Sequence, residues 1–354
     1  MKKQLKVLFI TRAFPPLVGG MERFASDFFE HFHKISNVDL IQNPGGKKTI
    51  IPFLAKTVFF IIFYAKNYDV IHIYDAVLFS LIPIIKLFSK AKISFTVNGL
   101  DIVYSHFGYQ IIMPFFLKNA DRIFAISQYT MKMCEVRGIP VNKVTSIPIG
   151  IDFEDFTPCS ETQKSKPAIK FKIPIEGNTI LLTVGRLVKR KGHSWFISNV
   201  IKNLPDKYIY VIAGSGPELP ELRRLIQEMD LSKRVFLLGN VSEDEKNCLY
   251  QISNLFIMPN ISVKNDQEGF GIVVLEAGRQ GLPVIASKLE GISDAVIDGA
   301  TGRLIDEGNS EGFINSITHP DIDVENLKSV LRSSFAWDNI IQRYYEEFEK
   351  MVNK

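Results

Sequence analysis

Short apolar runs bounded by polar residues recur along the whole chain. In the first half they are Leu5–Thr11, Val38–Ile41, Val70–Tyr74, Ile93–Val97, Ile123–Ile126 and Val144–Ile149. In the second half they are Thr179–Leu187, Tyr210–Ala213, Val235–Val241, Leu255–Pro259, Pro283–Ser287 and Thr301–Ile305. Runs this short and this uniformly apolar read as strands buried on both faces, the habit of parallel sheets. Helix-forming stretches lie between them. The first runs from about Met21 to His33, and the last, Trp337 to Met351, is amphipathic with charges outside. Strand and helix in alternation predict doubly wound α/β architecture.

Three helical stretches depart from the amphipathic norm. Ile50–Ala65, Ala76–Phe88 and Tyr109–Leu117 are apolar nearly all round, with Lys56, Lys86, Lys90 and Lys118 within or beside them. Two readings fit this pattern. The helices are core, or they form a greasy, basic surface that rests on anionic lipid while the lysines snorkel to the headgroups. No unbroken apolar run reaches the roughly 18 residues of a span, so no bilayer-crossing helix is expected.

At 354 residues the chain is long for one core and comfortable for two domains. From Thr157 to Pro174 the sequence turns polar and Pro-containing, a boundary composition. The expected division is 1–158, 159–335 and a C-terminal helix, 336–354, packing back on the first domain. The net charge of +4 is uneven: residues 1–158 hold 18 Lys/Arg against 12 Asp/Glu, the remainder 24 against 26. A basic first half and a near-neutral second half predict different partners for each. With no Arg-rich run or known binding module, nucleic acid is not an expected partner. Cys134, Cys159 and Cys248 lie far apart with no C-x-x-C pair, and they read as reduced structural thiols. Lys2-Lys3 leads straight into the first strand without a cleavage pattern. From these features the protein is expected in the cytoplasm, or at the inner face of the cell membrane.

Candidate chemistry sits in the loops after strands. Phe14-Pro-Pro-Leu-Val-Gly19-Gly20-Met-Glu22 joins the first strand to the first helix, an anion-binding arrangement of backbone N–H groups. Gly185-Arg186-Leu-Val-Lys189-Arg190-Lys191-Gly192 places cations after another strand. Tyr210 to Glu218 carries a glycine turn at Gly214, and Val241 ends the next strand. Finally, Glu268-Gly269-Phe270-Gly271-Ile272-Val273 runs on to Glu276. The spacing puts Glu268 in a loop beyond a strand and Glu276 on the early turns of the following helix. That helix start offers free N–H groups and a positive dipole end. Taken alone, the segment also reads as an acidic loop with one helix carboxylate.

Together these strings resemble the family 4 retaining glycosyltransferases. Glu268 to Glu276 is similar to their E-x7-E motif, Gly185–Gly192 to G-R-L-x-x-x-K-G, and Pro15–Glu22 to P-P-x-x-G-G-x-E. Ala213–Pro217 is similar to A-G-x-G-P, and Ser146–Asp152 to the family's I-P-N-G-V-D region with Ile149 where Asn is usual. Thr96–Asp101 is similar to the H-G-x-D region, with Asn98 where many members have His. Asn can donate and accept hydrogen bonds but cannot titrate. Of the nearby histidines, His72 lies in a strand and reads as structural, and His106 sits in a loop. The resemblance covers nearly the whole chain.

The resemblance implies a GT-B fold, two Rossmann-like doubly wound domains facing a central cleft. It implies transfer of a hexose, with retention, from a UDP- or GDP-sugar to a hydroxyl acceptor, a lipid-linked or polysaccharide glycan. The first domain would hold the acceptor, and peripheral contact with anionic membrane would suit a lipid-linked one. The second would hold the nucleotide sugar. Arg186 and Lys191 would bind the diphosphate, with Lys189 and Arg190 solvated. Glu268 would contact the transferred sugar, Glu276 the ribose, and Val241 lies in the strand-loop that reads the base edge. Gly19, Gly20, Asn98, Gly214, Gly269, Phe270, Gly271, Ile272 and Val273 complete the donor set. No cofactor and no metal are expected, because no D-x-D motif lies in these loops. Another GT-B enzyme such as a sugar-nucleotide epimerase, and a non-catalytic sugar-nucleotide-binding module, are the alternatives.

Overall fold

The structure, a computed structural model, describes residues 4–17, 19–104, 106–153 and 158–353. Lys2-Lys3, Val18 of the first glycine loop, and 154–157 at the head of the expected boundary lie outside the described residues. The chain divides into two compact units, Met1–Gly150 with Phe335–Lys354, and Ile151–Ser334.

The N-terminal unit is a parallel six-stranded sheet: β1 Lys6–Thr11, β2 Asn37–Gln42, β3 Val70–Tyr74, β4 Lys92–Val97, β5 Arg122–Ala125 and β6 Val144–Ser146, in the order β2-β1-β3-β4-β5-β6. Successive side chains point to opposite faces, and the sequence uses that period to build two different layers. Leu8, Ile10, Ile71, Ile73, Ile93 and Phe95 pack with the helices Ile50–Tyr64, Ile82–Phe88 and Phe107–Leu117. The alternate residues Phe9, His72, Tyr74 and Phe124 form an aromatic layer with Phe24, Phe28 and Phe32 of helix Gly20–Ile35. Tyr344 and Phe348 of helix Trp337–Val352 complete this layer. His72 is structural: it bonds Ser94 at 2.9 Å and Thr96 at 3.1 Å, and burial lowers its pKa to about 3, so it is neutral.

The C-terminal unit is a second parallel sheet: β7 Thr179–Val184, β8 Tyr208–Ala213, β9 Val235–Gly239, β10 Leu255–Met258, β11 Val284–Ser287 and β12 Gly302–Ile305, in the order β12-β11-β10-β7-β8-β9. Strand direction of travel reverses between β1 and β3 in the first sheet and between β7 and β10 in the second. Such switch points open a crevice beyond the strands' carboxyl ends.

Two expectations are corrected, and a third feature was not anticipated. The polar stretch expected as boundary contains a helix, Glu161–Phe171, started by a capping box of Ser160 and Gln163. Pro167 lies inside it, and its presence had disguised the helix. Cys159 and Cys248 are not thiols but a disulfide, closing 89 residues of chain. Their separation gave no local signal. The fold itself brings helix Glu161–Phe171 beside helix Glu243–Ile252. Only Cys134 is free, buried, its thiol pushed up to about 12 by burial. Lastly, the helical stretch Gly46–Asn67 is long and apolar enough to cross a membrane by length and composition alone, at 22 residues and mean hydropathy 1.6. It is nonetheless the β2–β3 crossover, and it sets Phe53, Thr57 and Ile61 into the unit.

Candidate active site

The turn after β7 and the loop after β10 meet at the C-terminal unit's switch point. After β7 the chain makes a short 3-10 turn, Lys189–Lys191, and Gly192 closes it in the left-handed region at φ 68°. A Cβ there would overlap the Pro259 carbonyl oxygen, so only glycine lets the cationic turn lie against the end of β10. The Ile261 N–H donates to the Arg190 carbonyl at 2.9 Å and joins the two segments.

Side chains complete the union. Lys191 Nζ lies 2.5 Å from Glu268 Oε2. Arg190 donates to Glu268 at 3.1 Å and to Asp266 at 2.9 Å, and Asn260 Nδ2 donates to the same Glu268 oxygen at 3.3 Å. Arg190 is therefore buried and paired, not solvated as expected. Lys189 and Arg186 are the exposed members of the turn. Burial pushes the Glu268 carboxyl up, but Lys191 and Arg190 outweigh it and hold the pKa below its ordinary value, so Glu268 is ionised.

Past Glu268, Phe270 is buried and Gly271 caps helix Ile272–Arg279 at φ 90°. The helix start presents Ile272 and Val273, half-buried, while Glu276 is turned inward. Tyr250 donates to Glu276 at 3.0 Å, and Lys246 lies 3.3 Å away. Both come from helix Glu243–Ile252, and neither was foreseen. Gly214 and Val241 sit at the ends of β8 and β9. The Gly214 N–H donates to the Gly239 carbonyl at 2.8 Å, and Ser215 bonds Asn240 at 2.7 Å. The structure thus joins Lys191 with Glu268 directly and places Arg186, Gly214, Val241, Gly269 and Glu276 in the same unit, at strand ends or on the helix that follows.

A second cluster occupies the N-terminal unit's switch point. Arg12, beyond β1, pairs with the fully buried Asp75, beyond β3. Asp75 adopts φ 139°, a strained backbone for a non-glycine residue. Asp101 accepts from the Asn98 N–H at 2.8 Å and the Ala76 N–H at 3.2 Å. Burial, aided by the neighbouring Asp75, raises the Asp101 pKa to about 7. Asn98 is buried and accepts from Tyr74 at 2.7 Å, while its Nδ2 has no partner among the described residues. Gly19 caps helix Gly20–Ile35, and a Cβ on Gly20 would meet open space. His106 precedes helix Phe107–Leu117 and is exposed. Sequence reading found Asn98 and the glycines but not Arg12 or Asp75, whose partners lie on other strands. No group of three metal-ligating side chains occurs among the described residues.

Comparison with known proteins bears on the fold and the family. The model described as Glycosyltransferase Family 4 matches residues 6–155, and that described as Glycosyl transferases group 1 matches residues 165–319. The chain is similar to the lipopolysaccharide 1,2-N-acetylglucosaminetransferase of Salmonella typhimurium, at 27% identity over 73% of this chain and 68% of that one. It is 30% identical to the UDP-Gal:alpha-D-GlcNAc-diphosphoundecaprenol alpha-1,3-galactosyltransferase of Escherichia coli, over 62% of this chain and 57% of that one. Among solved structures, Anabaena HepE in complex with UDP and glucose superposes with TM-score 0.78 at 20% identity, over 98% of this chain and all of that one. Fold, family models and relatives together define a glycosyltransferase of the GT-B type that uses a nucleotide sugar. Within that class, the chain belongs to the family 4 glycosyltransferases.

Proposed function

We propose that the protein transfers a hexose from a UDP- or GDP-sugar, with retention of anomeric configuration, to a hydroxyl of a lipid-linked or polysaccharide glycan. The observation that carries this reading is the contact between Lys191 and Glu268 at the β7/β10 switch point, beside the start of helix Ile272–Arg279. Lys191 has three N–H donors, so it holds Glu268 with one and a donor phosphate with another. As the glycosidic bond breaks, the departing diphosphate gains charge. Lys191, Arg186 and the helix N-terminus stabilise that charge without a divalent metal. Glu268, ionised, accepts from the sugar's hydroxyls and supports the oxocarbenium-like transition state. The acceptor hydroxyl attacks the face the diphosphate leaves, and a phosphate oxygen takes its proton. Glu276 accepts from the ribose. Asn98 Nδ2, without a partner among the described residues, donates a hydrogen bond to substrate where many relatives have His.

The acceptor side belongs to the N-terminal unit, which we place against an anionic membrane at the cytoplasmic face. The support is its outer surface. Ile51 is 77% exposed, Phe107 80% and Leu87 76%, with Phe59, Phe63, Ile111 and Phe115 also exposed on the same three helices. Residues 46–118 hold eight lysines and only three acidic residues, and two of those, Asp75 and Asp101, are buried.

The test is product analysis. Mass spectrometry of membrane extracts incubated with UDP- and GDP-sugars should show one added hexose, and NMR should show the donor's anomeric configuration kept. Chelator should leave the rate unchanged. An inverted product, or a nucleotide sugar merely epimerised, sinks the assignment.

A further inference from the structure

The loop after β11, Lys288 to Gly291, lies outside every motif described above. At its centre Glu290 adopts φ 49°, a left-handed conformation that side-chain-bearing residues rarely take. Such strain persists when the side chain does something that offsets it. Here the Glu268 N–H donates to Glu290 Oε2 at 2.5 Å. In return the Gly291 N–H donates to the Glu268 carbonyl at 3.1 Å. Both backbone groups of Glu268 are therefore taken by one dipeptide. The approach is close enough that a Cβ on Gly291 would overlap the Gly269 carbonyl oxygen.

We infer that Glu290 is a positioning residue: with Gly291 it clasps the peptide of Glu268 and fixes where that carboxylate stands. The inference rests on the reading of Glu268 as the group that holds the transferred sugar. Lys191, Arg190 and Asn260 restrain the Glu268 carboxylate from one side. They do not restrain its backbone, and the loop from Asn260 to Gln267 leaves Glu268 at the end of a long irregular segment. The clasp removes that freedom. A carboxylate that must meet a sugar hydroxyl within a fraction of an ångström gains rate from such support.

Glu290 also titrates in an informative range. Burial, with Glu268 and Asp266 nearby, raises its pKa to about 7 against the pull of the Glu268 N–H and Arg190. Ionised Glu290 is the stronger acceptor for the Glu268 N–H. The turnover of the wild type is therefore expected to rise with pH through about 7.

The experiment compares wild type, Glu290→Gly, Glu290→Gln and Glu268→Gln. UDP-glucose, UDP-N-acetylglucosamine and GDP-mannose are the donors, turnover is read as nucleotide release, and UDP and GDP affinities come from calorimetry. Glycine suits the left-handed backbone, so Glu290→Gly should fold. It should lose about tenfold or more in kcat while nucleotide affinity stays within about threefold. Glutamine keeps an acceptor oxygen, so Glu290→Gln should hold kcat within about threefold at pH 8 and lose the acid limb near 7. Unchanged kcat in Glu290→Gly, or an acid limb that survives in Glu290→Gln, overturns the inference. If Glu268→Gln is also fully active, or the wild type neither binds these nucleotides nor turns over these donors, the proposed function falls and takes the inference with it.

Discussion

The two units are built from the same kind of sheet, yet they finish their outer surfaces in opposite ways. In the C-terminal unit, helix Leu219–Glu228 turns charge outward, with Arg224 bonded to Glu221 and Glu228 at 2.7 Å each. Only Leu222 and Ile226 of that helix are buried. In the N-terminal unit, helix Ile50–Tyr64 buries Phe53, Thr57 and Ile61, and still shows Ile51, Phe59 and Phe63 outside. A helix that is apolar on both sides leaves part of its apolar surface uncovered by its own unit. Charge pairing satisfies one helix surface by itself, whereas the lysine-studded apolar face of the other unit is the surface proposed above to rest on anionic membrane.

That contrast can be broken most severely at the donor site. Glu268→Gln and Lys191→Ala should each cut transfer by about 10² to 10³, the cost of removing one group that stabilises developing charge. Arg186→Ala should do the same in initial-rate assays. All three should still float with anionic vesicles. Loss of flotation together with activity would dissolve the distinction between the units.

Next in size is the disulfide, which belongs to the C-terminal unit alone. Cys248→Ser opens an 89-residue loop and should cost about 3 kcal/mol in chemical denaturation. The melting of the N-terminal unit should not move.

A smaller effect sharpens the comparison from the other side. Phe59→Asp with Phe107→Asp, both on exposed outer positions, should weaken binding to phosphatidylglycerol vesicles at low salt by about tenfold or more. UDP and GDP affinities should stay as in the wild type. A wild type that never floats with such vesicles removes the membrane from the proposal.

The smallest expected effect is a change in pH dependence. In the N-terminal unit two buried groups oppose each other. Asp101 is raised from 3.8 to about 7, so its contribution is present below 3.8 and lost as pH rises through 7. His72 is lowered from 6.5 to about 3, so its contribution is present above 6.5 and lost as pH falls through 3. Between about pH 4 and 6.5 the two trends offset. Asp101→Asn removes the falling one, and denaturation at pH 4.5 and 6.5 should then show a variant whose stability rises with pH more steeply than that of the wild type.

Much of the fold was legible because central strands such as Val70–Tyr74 and Leu255–Met258, buried on both faces, read as short apolar runs, and the partly exposed edge strands kept enough apolar residues to be read beside them. Glu268, Gly271 and Glu276 were legible because their spacing is local: loop, cap and helix lie within nine residues. What escaped depends on contacts between distant segments. Arg190 looked like its exposed neighbour Lys189 until Asp266 and Glu268 came to meet it. Tyr250 and Lys246 gave no hint that Glu276 would be theirs. The bond between Cys159 and Cys248 has no spacing rule behind it, and Pro167 hid a helix that its capping box would have revealed.

The last helix carries a consequence for how the molecule comes into being. Phe335–Lys354 belongs to the unit that opens the chain, so the C-terminal unit is spliced into its neighbour's sequence. During synthesis, Ile151–Ser334 is made before Tyr344 and Phe348, so the aromatic layer around Phe28 waits for side chains that follow the whole of the other unit. The half that starts first is completed last, and a fragment ending at Gly150 would lack the side chains that seal its own interior.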